Sequence, residues 1–269
     1  MTAYFLGLTM MAGVLVPDSP GTTVGFAVFD RSSAEVVAAH NADMRFRSAS
    51  IVKLLIALDY LWDRGPDYQV PAADAPLLEA MLRASDDDAA STLWVRAGWE
   101  QIVVRMADRL GLADTSPPDE RGKWGRTAIS PRDTVEVYRH ILDRAPGPVR
   151  EYLVTNLLAH TRCGSDGWDQ SFGIPSATRG PWGVKQGWSG FPDPRPDQRC
   201  VPPPAPEAGP EARLAGPGDI DITRRAMHST GFDGDSDRIV VIYTLQPQDR
   251  SWELCGALLT GLAGALIRL

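Results

Sequence analysis

The residues that could do chemistry begin with a serine and a lysine three positions apart, Ser50 and Lys53. An apolar run rich in helix formers starts after Ser50 and continues to Gly65, which predicts a helix with both residues in its first turn. Residues three apart share one helix face, so the amine lies near the hydroxyl. A buried amine of lowered pKa can take the serine proton and create a nucleophile. The helix N-terminus adds unpaired N–H groups that favour an oxyanion.

A serine three residues before a lysine is, in isolation, more often the start of an ordinary helix with a lysine on its surface than a catalytic pair. Two features argue against that interpretation here. Five residues with only apolar side chains follow Lys53, and the chain has three lysines in all. The hypothesis therefore depends on partner residues further along the chain.

Length, composition and charge narrow the function classes. The chain has 269 residues, of which 43% are hydrophobic and 23% charged, as in ordinary globular proteins. This length fits a large single fold or two interleaved subdomains. The net charge of −7 and the lack of a basic run argue against a nucleic-acid partner. The sequence has no H-E-x-x-H, C-x-x-C, G-x-S-x-G or phosphate-binding glycine loop, so neither a metal nor another cofactor is expected.

Both ends of the chain and the cysteines leave alternatives open. Residues 4–16 are apolar but follow no basic residue, so they fit a degenerate export signal, a mis-chosen start or a first helix. Residues 254–269 are short for a membrane span and are expected to form a core helix, and no transmembrane segment is predicted. Cys163 and Cys200 could pair in an exported protein or stay reduced, and Cys255 is expected to be a buried free thiol.

The elements that must position Ser50 and Lys53 follow from the patterns of apolar and turn residues. Strands are predicted at residues 22–30, 35–40, 183–188, 220–229 and 238–245. Helices are predicted at residues 50–65, 77–82, 89–97, 99–110, 130–142, 149–160 and 252–269, the fifth with Ser130 as its N-cap. Residues 113–125 and 161–180 are expected to be loops, and the proline-rich stretch 191–218 a mobile surface insert.

Strands from both ends of the chain flank the block of helices, so they must meet in one antiparallel sheet. The predicted architecture is α/β (α+β), a sheet flanked by helices with an all-helical insertion. We expect one domain over residues 1–269, with a sheet part at about 21–57 and 178–269 and a helical part at about 58–177. The seam between the two parts is the natural place for a cleft.

Two further motifs fall at this seam. Ser85-Asp86-Asp87 lies between two predicted helices, and Lys185-Gln186-Gly187 lies on the first strand after the helical block. Together with Ser50-x-x-Lys53 they resemble, in kind and in order, the S-x-x-K, S-D-N and K-T-G motifs of the serine β-lactamase and penicillin-binding D,D-peptidase superfamily. The resemblance, which is to class A β-lactamases in particular, covers nearly the whole chain from residue 22 onward. It implies a β-lactamase-like fold with a five-stranded antiparallel sheet.

The resemblance also implies a role for each matching residue. Ser50 would be the acylated nucleophile, Lys53 its general base, and Ser85 a relay of the proton to the leaving nitrogen. Lys185 would assist that relay and attract a substrate carboxylate. The backbone N–H groups of Ser50 and Trp188 would form the oxyanion hole. The substrate-binding residues would be Asp87, Gln186, Gly187 and Trp188.

Three positions depart from the family's pattern. The Asn of the second motif is Asp87, whose carboxylate cannot donate to a substrate carbonyl and could instead pair with Lys53 and keep it charged. The hydroxyl residue of the third motif is Gln186, which reaches a carboxylate from a longer arm. The E-x-x-L-N loop of class A enzymes corresponds to residues 114–125, where Glu120 is the only glutamate and no Leu-Asn follows. A solvated loop charge is favoured for Glu120 over a catalytic base that activates water.

The resulting hypothesis is a serine hydrolase acylated at Ser50 by a β-lactam or a D-Ala-D-Ala-like amide, with slow deacylation. The resemblance implies a monomeric, penicillin-binding protein of the secreted or cell-envelope type that acts on a small-molecule or peptidoglycan-like substrate, with antibiotic resistance as one consequence. Two alternatives stay open. One is a non-catalytic cell-wall- or partner-binding protein, which Asp87 and Gln186 favour. The other is an esterase or amidase with a repurposed cleft.

Overall fold

A computed structural model describes residues 10–11, 14–15, 19–200, 220–234 and 237–269. The expectation for residues 4–16 therefore lies largely outside the described residues. The same holds for residues 201–218 of the proline-rich insert.

Five of the described strands form the predicted antiparallel sheet. In chain order the strands are β1 (Met10–Met11), β2 (Val14–Leu15), β3 (Thr23–Asp30), β4 (Glu35–His40), β5 (Phe46–Arg47), β6 (Ala128–Ile129), β7 (Trp182–Ser189), β8 (Arg225–Asp233) and β9 (Arg238–Gln246). The sheet has the spatial order β4-β3-β9-β8-β7, so strands from both ends of the chain meet in it and β7 is an edge strand. The short pairs β1–β2 and β5–β6 are separate, and β5 leads directly into the Ser50 segment.

Alternation along β9 explains why the sheet has a hydrophobic core on each face. Ile239, Val241 and Tyr243 pack with the helices that follow Ser50, whereas Val240 and Ile242 pack with the C-terminal helix. Side chains of a strand alternate between the two faces, so a continuous apolar run is buried on both sides.

The helices divide between the two faces. They are α1 (Lys53–Trp62), α2 (Ala75–Arg83), α3 (Asp87–Arg96), α4 (Gln101–Leu110), α5 (Pro131–Arg139), α6 (Gly147–Leu158), α7 (Ile174–Ala177) and α8 (Trp252–Leu266). Helices α1 to α6 share the first core and α8 lies in the second. The predicted N-cap of α5 is confirmed, since the Ser130 hydroxyl accepts a hydrogen bond from the Asp133 N–H at 3.1 Å.

Two predicted boundaries are wrong. The strand expected at residues 220–229 is β8, which begins at Arg225 and continues to Asp233. Its start is delayed because the Asp221 carboxylate accepts hydrogen bonds from the N–H groups of Thr223 and Arg224 and closes a turn. It continues through Gly231, where a Cβ would lie only 2.5 Å from the Gly183 carbonyl oxygen of the neighbouring strand. Glycine here permits close strand pairing rather than ending the strand.

The expected loop at residues 161–180 contains the short helix α7. Gly173, which precedes it, has φ +70°, and the Ile174 N–H is bound by the Ser229 hydroxyl at 2.9 Å. A contact with a distant strand thus supports this helical turn.

Among the described residues, no helix is long and apolar enough to cross a membrane. The division of the chain into a sheet part and a helical part stays a prediction.

Candidate active site

Ser50 lies in a tight turn at the junction of β5 and α1. Residues Ala49–Val52 form one turn of 3₁₀ helix, and Lys53 is the first residue of α1. In a 3₁₀ turn side chains three apart are eclipsed, which brings the Ser50 hydroxyl and the Lys53 amine together. Ala49 has φ +45°, a left-handed conformation that is unfavourable for a residue with a Cβ. Strained backbone of this kind is often found at functional sites.

The Lys53 amine is completely buried and joins three residues. Its Nζ lies 2.9 Å from the Ser50 Oγ, 2.6 Å from the Ser85 carbonyl oxygen and 2.5 Å from the Asp87 Oδ1. Burial lowers the pKa of Lys53, and the Asp87 carboxylate opposes this shift by favouring the ammonium. The pairing of Asp87 with Lys53 that the sequence left as an alternative is the arrangement in the structure.

Ser85 connects Lys53 to the edge strand of the sheet. Its Oγ accepts from the Lys185 Nζ at 2.8 Å and lies 3.3 Å from the Lys53 Nζ. Ser85 has φ +58° and precedes α3, whose N-cap Asp86 accepts a hydrogen bond from the Ala89 N–H at 2.7 Å. A cap that fixes the start of α3 therefore also fixes Ser85.

Lys185 is buried on β7, and no carboxylate of the described residues forms a salt bridge with it. Burial is the first cause that lowers the pKa of Lys185 well below that of a free lysine, and the positive charge of Lys53 lowers it further. Two lysines with lowered pKa values on either side of one serine hydroxyl form a chain through which a proton can move. Polar atoms of Ser50, Lys53, Ser85 and Lys185 thus follow one another within hydrogen-bond distance.

The outer edge of β7 faces the Ser50 turn. A Cβ on Gly187 would lie 3.1 Å from both the Ser48 carbonyl oxygen and the Ile51 Cγ1, so only glycine allows this approach. The Gln186 carbonyl accepts a hydrogen bond from the Lys185 Nζ at 3.3 Å. The backbone N–H and C=O groups of Gln186 therefore point away from β8. Backbone direction alternates along a strand, so the Trp188 N–H points to the same outer edge.

Gln186 does not present its side chain to the cleft. Its Nε2 donates to the carbonyl oxygens of Gln170 at 3.1 Å and Phe172 at 2.5 Å, and the residue is buried. In this arrangement the amide is directed away from the cleft, and a role of Gln186 toward a substrate carboxylate stays a prediction. The physical reason is that two backbone carbonyls of the 161–180 segment already bind both amide hydrogens.

Glu120 is not brought to Ser50 by any hydrogen bond among the described residues. Its Oε2 lies 2.6 Å from the Arg126 Nη1, and its side chain is 45% exposed, as expected for a solvated loop charge. Trp124 from the same loop lies closer to the cluster, with its ring centroid 4.8 Å from the Lys53 Nζ. The ring is held by a hydrogen bond from its Nε1 to the Ser91 Oγ at 3.2 Å.

Three features of the site were not predicted from sequence. The carboxylate of Asp166 accepts the Trp188 indole N–H at 2.7 Å and the Trp168 backbone N–H at 3.1 Å. Burial raises the pKa of Asp166, and these hydrogen bonds oppose the shift. Trp124 covers Lys53, and Arg47 ties the Ser50 segment to the end of β7. No local pattern in the sequence indicated Arg47, because its burial depends on contacts with segments far along the chain.

The cysteines resolve the alternatives that the sequence left open. Cys163 and Cys200 form a disulfide, and Cys255 is a buried free thiol as expected. The disulfide joins the turn that carries Asp166 to the segment after β7, where the Cys200 N–H also donates to the Gly167 carbonyl at 2.8 Å. In the described part of the chain, no group of three or more His, Cys, Asp or Glu residues is arranged to hold a metal ion.

Relatives of known name share part of this sequence. No protein-family model matches the chain. "Putative lipoprotein LppW" from Mycobacterium bovis and from Mycobacterium tuberculosis are each 35% identical to it over 173 residues, which are 62% of this chain and 54% of the relative. The chain therefore spans about half the length of the curated relatives it matches.

Solved structures extend the likeness to nearly the whole chain. An ancestral class A β-lactamase (GNCA) aligns with a TM-score of 0.63 and 16% identity over 92% of this chain and 94% of that one. The "Putative Class A Beta-Lactamase PenP" from Rhodopseudomonas palustris aligns with a TM-score of 0.65 and 18% identity over 92% of this chain and 94% of that one. At such low identity the agreement concerns the fold alone. The five-stranded sheet, its helices and their alignment over 92% of the chain therefore show that this protein has a class A β-lactamase-like fold.

Proposed function

We propose that this protein is a serine acyl-transfer enzyme that is acylated at Ser50 by a β-lactam or a D-Ala-D-Ala-like amide and deacylates slowly. The observation that carries the proposal is the continuous chain of polar contacts from Ser50 through Lys53 and Ser85 to Lys185. A protein that only binds a ligand does not need the Ser85 hydroxyl placed between the buried amines of Lys53 and Lys185.

The residues of this cluster can carry out acylation of Ser50 with each proton transfer accounted for. The Ser50 Oγ attacks the substrate carbonyl carbon while the neutral Lys53 amine takes the hydroxyl proton. The oxyanion is stabilised by the backbone N–H groups of Ser50 and Trp188. When the C–N bond breaks, the leaving nitrogen takes a proton from the Ser85 hydroxyl, which is replenished by the proton held on Lys53 or Lys185. The products are an ester on Ser50 and a free amine.

Slow deacylation is supported by the surroundings of Glu120 and Trp124. The Glu120 carboxylate is bound to Arg126, so it is not positioned to activate a water against the ester. The Trp124 ring lies beside the Lys53 amine on the side that the 114–125 loop approaches. Among the described residues, Asp87 is the carboxylate that bonds to the cluster, and it is already an acceptor for Lys53.

The names of the mycobacterial relatives support a place in the cell envelope. A monomer that meets its substrate there fits the proposed chemistry. A second candidate, a non-catalytic cell-wall- or partner-binding protein, is favoured by two observations. Gln186 is turned away from the cleft, and the Asp87 carboxylate is bound to Lys53.

Intact mass after incubation with benzylpenicillin tests the proposal. We expect a one-drug adduct that persists for many minutes in the unaltered protein and is absent from Ser50→Ala. Ser48→Ala is the matched control, because this buried serine lies two residues earlier and its hydroxyl donates only to the Ala49 carbonyl among the described contacts. A short-lived adduct with consumption of the drug would replace slow deacylation by β-lactamase turnover. An adduct that persists in Ser50→Ala would overturn Ser50 as the nucleophile, and no adduct with any acyl donor would favour the binding protein.

A further inference from the structure

The helical side of the cleft presents a carboxylate at its mouth. Asp87 begins α3, and its Oδ1 is bound to the Lys53 Nζ at 2.5 Å. The Asp87 side chain is nevertheless 69% exposed, whereas Lys53 is fully buried beneath it. A ligand that approaches Ser50 from solvent on this side therefore meets a carboxylate before it meets the ammonium.

The sheet side of the cleft presents a second carboxylate. The Asp166 residue borders solvent, whereas its carboxylate is partly enclosed by protein and accepts the Trp188 indole N–H on Oδ2 at 2.7 Å. Its turn is closed by the Gly164 N–H on the Trp168 carbonyl at 2.8 Å and by the Cys163–Cys200 disulfide. These contacts hold Asp166 next to the residue whose backbone N–H completes the proposed oxyanion hole.

The two carboxylates act on one another and on the same lysines. The Asp87 carboxylate raises the pKa of Asp166, and both carboxylates favour the charged forms of Lys53 and Lys185. The geometry agrees, since the Ser165 N–H donates to the Ala84 carbonyl at 2.9 Å, so the turn that carries Asp166 lies against the residue before Ser85.

Five cations around the site are already hydrogen-bonded to partners among the described residues. Lys53 and Lys185 are buried and hydrogen-bonded to the serines. Three arginines near the site have bonds of their own: Arg126 to Glu120, Arg224 to Asp221 and Arg225 to the Arg250 carbonyl. The amide of Gln186 is bound to backbone carbonyls. Asp87 and Asp166 are thus two carboxylates beside the cluster that also border solvent, and Arg199, whose Nη1 lies near Gly167, is a cation on the Asp166 side.

Two indole rings complete this part of the cleft. Trp124 lies with its face toward the Lys53 amine, and Trp188 is held by Asp166. Indole faces attract cations through their quadrupole, in addition to the attraction of the carboxylates. The net charge of −7 adds a long-range field of the same sign.

We propose that the mouth of this cleft selects acyl donors with an ammonium group close to the acyl carbonyl, and that Asp87 and Asp166 are the residues that select it. The inference rests on the proposed acylation of Ser50 and adds the substrate class to it. A donor with a carboxylate at the same position is disfavoured, since like charges would face each other across the mouth.

Three penicillins that share one bicyclic core provide the test. Ampicillin carries an α-ammonium on its acyl side chain, benzylpenicillin carries no charge there, and carbenicillin carries an α-carboxylate. We measure the second-order rate of Ser50 acylation for each by intact mass at low salt. The expected order is ampicillin, benzylpenicillin, carbenicillin, with about tenfold between first and last. This ratio should shrink as salt is raised to about 1 M, where the Debye length is about 3 Å.

Asp166→Asn and Asp87→Asn are each expected to reduce the ampicillin-to-carbenicillin ratio about threefold or more. Asp67→Asn is the matched control, because it removes one negative charge from an exposed position in the loop before α2 and should leave the ratio unchanged. Equal rates for the three penicillins, or a ratio that neither variant alters, would overturn the inference while leaving the proposed acylation intact. Absence of any adduct in the unaltered protein would overturn the proposed function itself.

Discussion

Lys53 carries the proposed chemistry, and two opposing influences determine its charge. Complete burial favours the neutral amine, whereas the Asp87 carboxylate at 2.5 Å favours the ammonium. A general base must be neutral to take a proton, so Asp87 restrains the reactivity of Ser50. The Trp124 ring at 4.8 Å stabilises the same charged form.

Asp87→Asn is expected to raise the acylation rate near neutral pH. Removal of the carboxylate lowers the pKa of Lys53 further, so the amine is neutral at lower pH and the acid limb of the rate profile moves to lower pH. The acylation rate with benzylpenicillin between pH 5 and 9 measures this shift. Asp88→Asn, one residue further along α3 and with no bond to Lys53, is the control. An acid limb that stays in place in Asp87→Asn would show that Lys53 is not the base.

At the scale of elements, Arg47 holds β5 against the sheet edge. Its guanidinium is buried and donates to the carbonyl oxygens of Ser189 at 3.2 Å and of Arg224, with Asp221 at 3.5 Å. Its own carbonyl accepts from the His228 Nε2 at 2.9 Å. These bonds connect the segment before Ser50 to the ends of β7 and β8. They therefore set the separation between the two N–H groups of the proposed oxyanion hole.

Arg47→Met is expected to slow Ser50 acylation about tenfold or more at temperatures far below unfolding. The reason is that a shift of the β5 segment against β7 misaligns nucleophile and oxyanion donors. Single-turnover acylation separates this loss of rate from weaker initial binding. Arg47→Lys, which keeps a donor in the same place, should recover part of the rate. A purely structural role predicts instead a lower Tm in both variants with no change in the rate of the folded protein.

At the scale of the whole molecule, buried polar pairs fasten helix α5 to the sheet on the face of the first core. Tyr138 contacts Thr230 at 2.9 Å between their hydroxyls, as the Tyr243 hydroxyl does with Thr134 at 2.8 Å. His228 accepts the Thr244 N–H on its Nδ1 at 3.2 Å, so its Nε2 carries the hydrogen that binds the Arg47 carbonyl. Burial lowers the pKa of His228 to about 3, so the folded protein holds this ring neutral.

Acid is therefore expected to destabilise the fold through His228. Between pH 6.5 and 3 the unfolded chain binds a proton on this residue and the folded protein does not, so the free energy of unfolding falls as pH falls. One such group contributes a slope of up to about 1.4 kcal/mol per pH unit. Urea unfolding at pH 7, 6, 5 and 4 measures the slope. His228→Gln should flatten it, and equal slopes in His228→Gln and the unaltered protein would contradict this account.

The sequence by itself determined the features that depend on local period and spacing. Alternating and continuous apolar runs located the strands, because side chains follow the twofold repeat of the backbone. The spacing of Ser50 and Lys53 predicted their contact, and the order of the three short motifs predicted the fold. The bounds of β8 were misplaced, because Gly231 looks like a turn residue until its close neighbour strand is known.

Only the tertiary structure decided contacts between residues far apart in the chain. Asp166 and Trp188 are 22 positions apart, Cys163 and Cys200 are 37 apart, and Arg47 and Arg224 are 177 apart. Gln186 turned away from the cleft because two carbonyls of another segment bind its amide. Such pairings depend on how packed elements approach one another, and no local pattern of residue types encodes that approach.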